Sequence, residues 1–344
     1  MSESSSKSAR GAGGAALADS AGLAEVERLM RDLASTSPDD IAAEMVAFHL
    51  DAGGKRLRAR LALAALAAFG VPRARGYAWA AACELVHNAT LVHDDLQDRD
   101  ERRRGQPTVW ARYGDAQAVN AGDLMLMLPF LAVAAVPADV ATRWALAESL
   151  ARATAAVVRG QAAEQQLPMR ADLAWGDYER VVSGKTSALF ELPVLGAALL
   201  ADELPARASA LARPFRTLGV IFQMQDDVLD LYGDKGRGLL GSDIYEGKVS
   251  CLVVEHLSRR PGERDDVMRI LRLPRAATAG ADVTRLIASF RQSGALGAVL
   301  ARMRDLARDL DREATAGSTA LASLAAALVE TVLAPIAHLF SECG

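Results

Sequence analysis

Aromatic side chains are scarce in this chain, and cysteine is scarcer. Aromatic residues make up 5% of the sequence against 51% for all hydrophobic residues, so a core must be built from small and aliphatic side chains. Cys83, Cys251 and Cys343 show no Cys-x-x-Cys spacing, which argues against a zinc site or a dithiol motif and indicates a reducing compartment. The formal net charge is -4, so the chain lacks an overall basic character and we expect no nucleic-acid partner.

Segments that direct a chain into a membrane are missing too. Residues 1–7 do not show the basic and then apolar pattern of a signal peptide. The apolar run at 124–136 is shorter than the roughly 20 residues that a spanning helix needs. The apolar stretch at 318–340 is interrupted by Glu330, Pro335 and His338. We therefore expect no transmembrane segment and a cytoplasmic location.

Helical periodicity dominates the rest of the chain. Apolar residues recur at three- and four-residue spacing almost throughout, and alternating strand patterns are absent. This predicts one all-α domain at 21–344, preceded by a disordered tail at 1–20 that has few large apolar residues. We expect Ser37 to cap a helix that has Pro38 at its first position. Other helices are predicted at 77–98, 120–136, 139–159, 173–182, 187–200 and 207–231, then a glycine-rich loop at 233–242 and four or five shorter helices.

The most informative motif is an acidic pattern that occurs twice. The pattern Asp-Asp-x-x-Asp appears at 94–98 and again at 226–230, each time inside a predicted apolar helix. Its members are Asp94, Asp95, Asp98, Asp226, Asp227 and Asp230. The outer two carboxylates of each copy share one helix face, where like charges repel. Such clusters suit Mg²⁺, which commonly uses one or two carboxylates with water and substrate phosphates. A solvated charge run would explain one copy, but two copies favour a diphosphate site.

Basic residues accompany both acidic patterns. Residues 103–105 are Arg-Arg-Gly, and arginine binds phosphate through a planar, often bidentate guanidinium. Residues 53–58 place two glycines before three cations at a helix start, which is a good anion site. Residues 184–186, Gly-Lys-Thr, add another cation and a hydroxyl. Each of these signals is weak alone, and together they have the composition of a site for diphosphates.

Taken in order, these motifs resemble the trans-isoprenyl diphosphate synthase (polyprenyl synthetase) family. Five blocks follow the family's order: GGKRLR at 53–58, HDDLQD at 93–98 with RRG at 103–105, GKT at 184–186, FQMQDDVLD at 222–230 and DIYEGKVS at 243–250. The resemblance covers roughly residues 40–260. It implies the isoprenoid synthase fold, a single-domain helical bundle around a deep central cavity, usually in a homodimer.

The resemblance also implies a role for each matching residue. Asp94, Asp98, Asp226 and Asp230 would ligate roughly two to three Mg²⁺ ions that are bridged by an allylic diphosphate. The same diphosphate would be held by Arg103, Lys185 and Lys248, with Thr186 and Gln223 close by. The diphosphate of isopentenyl diphosphate would be bound by Lys55, Arg58, His87 and Arg104. The implied reaction ionises the allylic carbon–oxygen bond, and the isopentenyl double bond then attacks the cation.

The chain departs from the family at a few positions, and its product length is a separate expectation. Gly238 stands where a loop lysine is usual, with Arg237 beside it as a possible substitute. Glu164 ends a Gly-Gln-x-x pattern where aspartate is usual, and Ser250 replaces a common threonine. Ala89 and Thr90 occupy positions where bulky aromatics limit growth in short-chain members. Because both are small, we expect geranylgeranyl diphosphate (C20) or a longer product, with Met125, Leu126 or Phe130 as candidates for the end of the pocket.

Three other functions remain open from the sequence. A farnesyl diphosphate (C15) synthase would have the same motifs. A class I terpene cyclase would share the fold and the first aspartate cluster, but its second site is typically Asn/Asp-x-x-Ser/Thr-x-x-x-Glu and it needs no second diphosphate block. A non-catalytic helical subunit should lose one cluster, whereas this chain retains both.

Overall fold

The computed structural model describes residues 19–35, 37, 39–233 and 240–342. The described residues are almost entirely helical, which confirms the predicted all-α class. Residues 1–18 of the predicted tail and residues 234–239 of the predicted glycine-rich loop, with Arg237 and Gly238, lie outside the described residues. The chain divides into two compact units, and each is described by itself. Unit 1 comprises Met1–Thr154, Leu189–Pro214 and Ala314–Ala327, and unit 2 comprises Ala155–Ala188, Phe215–Glu313 and Leu328–Gly344.

The helices follow one another with short connections. In chain order they are Ser20–Ala34, Ile41–Asp51, Leu57–Ala68, Arg73–Asp98, Val109–Tyr113, Asp115–Ala134, Val140–Glu164, Trp175–Val182, Ala188–Leu200, Pro205–Ala212, Pro214–Tyr232, Ser242–Tyr245, Cys251–Arg259, Arg264–Leu271, Gly280–Gln292, Ala295–Gly317, Thr319–Leu333 and Ala337–Glu342. Short 3₁₀ helices lie at Leu167–Met169, Pro261–Glu263, Arg275–Ala277 and Ala334–Ile336, and a π-helical turn lies at Ser183–Ser187. The strands Arg102–Arg103 and Gln106–Pro107 form a small antiparallel hairpin that the sequence pattern did not predict.

Several predicted boundaries are wrong for identifiable reasons. The helix predicted at 207–231 is two helices, because Pro214 lacks a backbone N–H and starts a new one. Asp40, not Ser37, caps the helix Ile41–Asp51, since its carboxylate accepts the N–H groups of Ala42 and Ala43 at 2.9 and 3.1 Å. The described residues 242–342 contain seven α-helices instead of four or five, one of them Ala295–Gly317.

The helix Arg73–Asp98 organises the core of unit 1. Its middle turns are buried, and Trp79 is 0% exposed and donates its indole N–H to the Pro193 carbonyl at 3.1 Å. Burying one large apolar side chain contributes about 1.5–3 kcal/mol. The last turns of the same helix carry half-buried polar residues, so the helix is anchored along its middle and more open towards its C-terminal end. This arrangement fixes the first acidic cluster on a rigid element.

Two helices of the described residues are long and apolar enough to cross a membrane when judged by length and composition. They lie at Asp115–Ala134 and at Thr319–Glu342, where the second is a continuous run of the last two α-helices and the 3₁₀ turn between them, and 44% and 39% of their most apolar windows are buried in the protein. Core helices of globular proteins meet the same test, so this is weak evidence for a membrane protein.

Candidate active site

The first acidic cluster lies on the less buried face of the helix Arg73–Asp98. His87, Thr90, Asp94 and Asp98 are all half-buried, as expected for residues three, four and seven apart. The Thr90 hydroxyl donates to the His87 carbonyl at 2.7 Å, which keeps the Thr90 side chain against its own helix. Asp95 points elsewhere and is only 2% exposed. Asp95 therefore has a different environment from Asp94 and Asp98.

A tight hairpin presents the arginines that follow this cluster. Arg103 pairs with Gln106, which leaves Arg104 and Gly105 as a two-residue turn. Both turn residues have positive φ, 52° and 80°, as a type I′ hairpin turn requires. Glycine adopts this conformation without strain, whereas arginine rarely does. The Arg-Arg-Gly block is thus a turn that points two successive arginines in fixed and different directions.

Each of these two arginines is held by a specific partner in unit 1. The Arg103 guanidinium makes three hydrogen bonds to the Asp95 carboxylate, between 2.6 and 2.9 Å. This bidentate geometry is the strong form of an arginine–carboxylate pair. Arg104 packs over Gly54 and donates to the Gly53 carbonyl. The hairpin therefore fastens the first acidic helix to the GGKRLR block, and Asp95 acts as its attachment point.

The GGKRLR block contains a buried arginine that the sequence analysis left without a role. Arg56 is 4% exposed and has φ +49° immediately before the helix Leu57–Ala68. Its guanidinium donates to Glu27 at 2.9 Å, to the Leu50 carbonyl at 2.7 Å and to Asn88 at 3.4 Å. Arg56 thereby connects the helices Ser20–Ala34 and Ile41–Asp51 to the helix of the first acidic cluster. Only its place inside the motif could have suggested this role.

The residues predicted to bind isopentenyl diphosphate lie in unit 1, next to Arg56 in the chain, on the helix of the first acidic cluster and on the hairpin. Lys55 is exposed, whereas Arg58 is 8% exposed and stacks over the Phe190 ring at 5.0 Å. Arg58 Nη1 also lies 3.3 Å from His87 Nε2. Burial and the charge of Arg58 hold the pKa of His87 well below its usual value. His87 is therefore neutral near pH 7, and its Nε2 can accept the Arg58 N–H.

The second acidic cluster lies in unit 2 on the helix Pro214–Tyr232. Gln223 and Asp226 are half-buried, whereas Asp227 and Asp230 are 4% and 3% exposed. Asp227 accepts the Tyr178 hydroxyl and the Cys251 N–H, both at 2.8 Å, and the Gln223 amide at 3.0 Å. Both Asp230 oxygens accept hydrogen bonds, from the Ser242 hydroxyl at 2.5 Å and the Asp243 N–H at 3.0 Å. A metal ion at Asp230 would compete with these donors.

The Gly-Lys-Thr block is a π-helical turn that passes two glycines at close range. A Cβ on Gly160 would lie 2.4 Å from the Lys185 nitrogen, and one on Gly219 would lie 2.5 Å from Ser187 Cα. Gly160 stands four residues before Glu164, and Gly219 stands four residues before Gln223. Glu164 and Gln223 are the residues whose side chains bind the turn. Lys185 pairs with Glu164 at 2.5 Å, and the Thr186 hydroxyl donates to Gln223 Oε1 at 2.8 Å. Residues four apart lie on the same helix face. The close backbone contact at each glycine therefore brings the side chain one turn later within reach of the π-helical turn.

The third cation predicted for the allylic diphosphate is also paired in unit 2. Lys248 lies 2.7 Å from Glu246, and its backbone N–H bonds the Asp243 carbonyl at 2.8 Å. Arg103, Lys185 and Lys248 thus each contact a carboxylate of their own unit. Such carboxylates hold long basic side chains in place, and all three, Asp95, Glu164 and Glu246, lie inside motifs that were quoted from the sequence. The sequence analysis assigned no role to Tyr178, Glu246 or Arg56. Glu246 and Arg56 lie inside quoted motifs whose other residues received the roles, and Tyr178 lies outside all five motifs.

The chemistry of the donor set fits Mg²⁺. Asp94, Asp98 and Asp226 offer half-buried carboxylate oxygens, the hard ligands that this ion prefers. Among the described residues, no three His, Cys, Asp or Glu side chains are grouped so that they could hold an ion by themselves. Mg²⁺ usually keeps several waters and binds substrate phosphates in addition to one or two carboxylates, so a cage made only of protein is not required.

The family model described as polyprenyl synthetase matches residues 39–290. A short chain isoprenyl diphosphate synthase of Methanothermobacter thermautotrophicus is 33% identical over 68% of this chain and 72% of its own length. A geranylgeranyl diphosphate synthase of Methanosarcina mazei is 35% identical over 60% of this chain and 64% of its own length. The polyprenyl synthase of Caulobacter crescentus, solved with calcium and isoprenyl diphosphate, is 29% identical with a TM-score of 0.78, covering 90% of this chain and 94% of that one.

This chain belongs to the polyprenyl synthetase family. The comparisons confirm the predicted family and fold, and they confirm the predicted activity of an isoprenyl diphosphate synthase. They do not fix the product, because both geranylgeranyl and farnesyl diphosphate synthases are among the relatives.

Proposed function

We propose that this protein is a Mg²⁺-dependent synthase that condenses isopentenyl diphosphate with an allylic diphosphate and makes an all-trans product of C20 or longer. The observation that carries the proposal is that the aspartates within each acidic cluster differ in their burial. Asp95 and Asp227 are buried and hold the surrounding framework, whereas Asp94, Asp98 and Asp226 remain half-buried. A purely structural cluster would have no reason to keep Asp94 and Asp98 together on an open helix face, where they repel each other.

The outer aspartates are the proposed ligands of the ions. Asp94, Asp98 and Asp226 would coordinate Mg²⁺ together with the diphosphate. Both Asp230 oxygens already accept hydrogen bonds, so the coordination of Mg²⁺ by Asp230 stays a prediction from the sequence. Bound Mg²⁺ would neutralise the negative charge that develops on the departing diphosphate. The protein's own part is to keep the carboxylates in place on rigid helices before substrate arrives.

The basic residues would bind the two diphosphates. Arg103, Lys185 and Lys248 are the proposed contacts of the allylic diphosphate, and each is oriented by a carboxylate within 2.5–2.7 Å. The diphosphate of isopentenyl diphosphate would be bound by the remaining predicted residues, Lys55, Arg58, His87 and Arg104. Because His87 is neutral, it contributes a hydrogen bond and no charge to that group.

Metal removal tests the proposed dependence on Mg²⁺. The protein, mixed with isopentenyl diphosphate and an allylic diphosphate, should release pyrophosphate in MgCl₂, stop in excess EDTA and restart when Mg²⁺ exceeds the chelator. A parallel sample in which EDTA is added already saturated with Mg²⁺ controls for the chelator itself. Pyrophosphate release that continues unchanged in excess EDTA would contradict the metal assignment while leaving the prenyl transfer intact.

We also propose a cytoplasmic homodimer. The helix Asp115–Ala134 exposes Val119, Met127 and Leu131 at 43%, 57% and 57%, on one side and at four- and eight-residue spacing. Trp144, on the next helix of unit 1, is 72% exposed. An apolar surface of this kind is usually covered by a partner. Sedimentation equilibrium should therefore give twice the chain mass of 36.4 kDa, and a mass of one chain at micromolar concentration would contradict the homodimer.

A further inference from the structure

Glu84 is a buried carboxylate of unit 1 that the proposed chemistry does not use. It is 3% exposed, lies three residues before His87 on the helix Arg73–Asp98, and stands outside the five sequence blocks. A buried charge costs free energy unless it is paired or hydrogen-bonded. The contacts of the Glu84 carboxylate therefore show what it stabilises.

The Glu84 side chain caps the helix Leu57–Ala68. The N-cap residue of that helix is Arg56, whose side chain has no acceptor atom and so cannot accept the N–H groups of the first turn. These N–H groups have no partner within a helix, and polar side chains commonly accept them. Here Glu84 Oε2 accepts the Ala59 N–H at 3.1 Å, from 25 residues further along the chain. A negative charge also suits the positive end of the helix dipole.

The remaining contacts of Glu84 leave this cap as the hydrogen bond that its side chain alone provides. Asn88 Nδ2 lies 3.4 Å from Glu84 Oε1 but 2.8 Å from the Glu84 carbonyl oxygen, so the backbone already orients the Asn88 amide. Burial and two neighbouring arginines lower the pKa of Arg104, and the charge of Glu84 counteracts them. Glu84 therefore combines one backbone contact with a negative charge near the basic residues of the site.

The capped turn is the one that carries Arg58. Arg58 directly precedes Ala59, and its guanidinium lies 5.0 Å over the Phe190 ring, with Nη1 3.3 Å from His87 Nε2. Two adjacent residues of one helix thus contact two residues that lie one turn apart on the other. Because the Arg58 side chain is buried, the position of its guanidinium depends on where the backbone of this turn is held.

We infer that Glu84 is a positioning residue that holds the start of the helix Leu57–Ala68 and, through it, the Arg58 guanidinium for the diphosphate of isopentenyl diphosphate. The inference rests on the proposed function for the identity of the ligand. The hydrogen bond and the charge of Glu84 have opposite effects on an anion, because the bond places a cation whereas the negative charge repels a diphosphate. Substitutions that separate the two therefore change binding in different directions.

Two substitutions separate the hydrogen bond from the charge. Glu84→Gln keeps an oxygen within reach of the Ala59 N–H and removes the charge. Glu84→Asp keeps the charge, but its side chain is shorter by one C–C bond, about 1.5 Å, and loses the Ala59 N–H. Isopentenyl diphosphate is titrated calorimetrically into each protein in EDTA. This measurement needs no turnover, and the absence of metal excludes the proposed Mg²⁺-assisted diphosphate site.

Glu84→Asp should bind isopentenyl diphosphate about ten-fold more weakly, the usual effect of losing one hydrogen bond to a charged group. Glu84→Gln should bind at least as tightly as the unaltered chain. Arg58→Met with Glu84→Asp should bind no more weakly than Arg58→Met alone, because Glu84 acts through Arg58. Asp40→Ala is the matched control: it loses the carboxylate cap of the helix Ile41–Asp51, should unfold at a lower temperature and should bind normally.

The outcomes separate this inference from the proposed function. Normal binding by Glu84→Asp, equal losses in Glu84→Asp and Glu84→Gln, or a further loss in the double variant would overturn the inference. So would an unaltered chain that does not bind isopentenyl diphosphate. Prenyl transfer in MgCl₂ is measured separately, and its absence beside the predicted binding pattern would overturn the proposed function alone. If Glu84→Asp does not fold, Glu84→Met, which has similar bulk and only a weak acceptor, must show the same ten-fold loss.

Discussion

Asp94→Asn and Asp226→Asn are each expected to lower kcat by roughly a thousand-fold, the equivalent of about 4 kcal/mol of transition-state stabilisation. Both residues are half-buried carboxylates on the open faces of their helices. Asparagine keeps the size of the side chain and removes the charge that would hold Mg²⁺. The measurement is prenyl transfer at saturating substrate over a range of Mg²⁺ concentrations, and both variants should also need more Mg²⁺ to reach half of their own maximum.

Thermal unfolding separates a lost ligand from a damaged fold. Removing one of two like charges four residues apart should leave the free energy of unfolding unchanged or raise it by a few tenths of a kcal/mol. Asp51→Asn and Asp305→Asn are matched controls, because their side chains are 64% and 61% exposed and form surface ion pairs with arginine. Near-normal turnover in Asp94→Asn or Asp226→Asn, at the same Mg²⁺ as the controls, would rule out the metal assignment.

Ala89→Phe is expected to shorten the main product by at least one isoprene unit. Ala89 lies on the helix of the first cluster, five residues before Asp94, and is 0% exposed. If the growing chain runs along this helix, a phenyl ring at position 89 fills the space that the product needs. Thr90→Phe tests the neighbouring position, which is half-buried on the same face as Asp94. Products are dephosphorylated and sized by chromatography against prenyl alcohol standards.

Overpacking is the alternative explanation of any loss at Ala89. A large side chain in a filled core costs about 1–3 kcal/mol, so the thermal midpoint of Ala89→Phe must be compared with that of Ala80→Phe. Ala80 is also 0% exposed, and nine residues place it on the opposite face of the same helix. The control should lose stability and keep its product length. An unchanged product from Ala89→Phe would show that position 89 does not limit chain growth.

The sequence was most informative where one short-range rule applies. Outer aspartates four residues apart had to share a helix face, and Asp94 and Asp98 do lie on one half-buried face. The all-α class followed from apolar spacing in the same way. By contrast, Ser37 seemed a good helix cap, but Asp40 caps the helix because its carboxylate reaches two N–H groups of the first turn.

Contacts between distant segments could not be read from local patterns. The Arg103–Asp95 pair depends on a hairpin whose turn uses a non-glycine residue, Arg104, at positive φ, which no composition rule favours. Tyr178 meets Asp227 only because two helices pack together, and nothing near Tyr178 in the sequence marks it. Gly160 and Gly219 were unremarkable as residues, and the backbone contacts they allow at Lys185 and Ser187 became visible only in the fold.

The most direct measurement is the reaction itself. The unaltered protein is incubated with Mg²⁺, labelled isopentenyl diphosphate and, in separate samples, dimethylallyl, geranyl or farnesyl diphosphate, and the dephosphorylated products are sized. The account predicts label in linear all-trans prenyl alcohols of C20 or longer, and none in excess EDTA. Unlabelled cyclic hydrocarbons formed from the allylic diphosphate alone, or no incorporation of label from any primer, would contradict it.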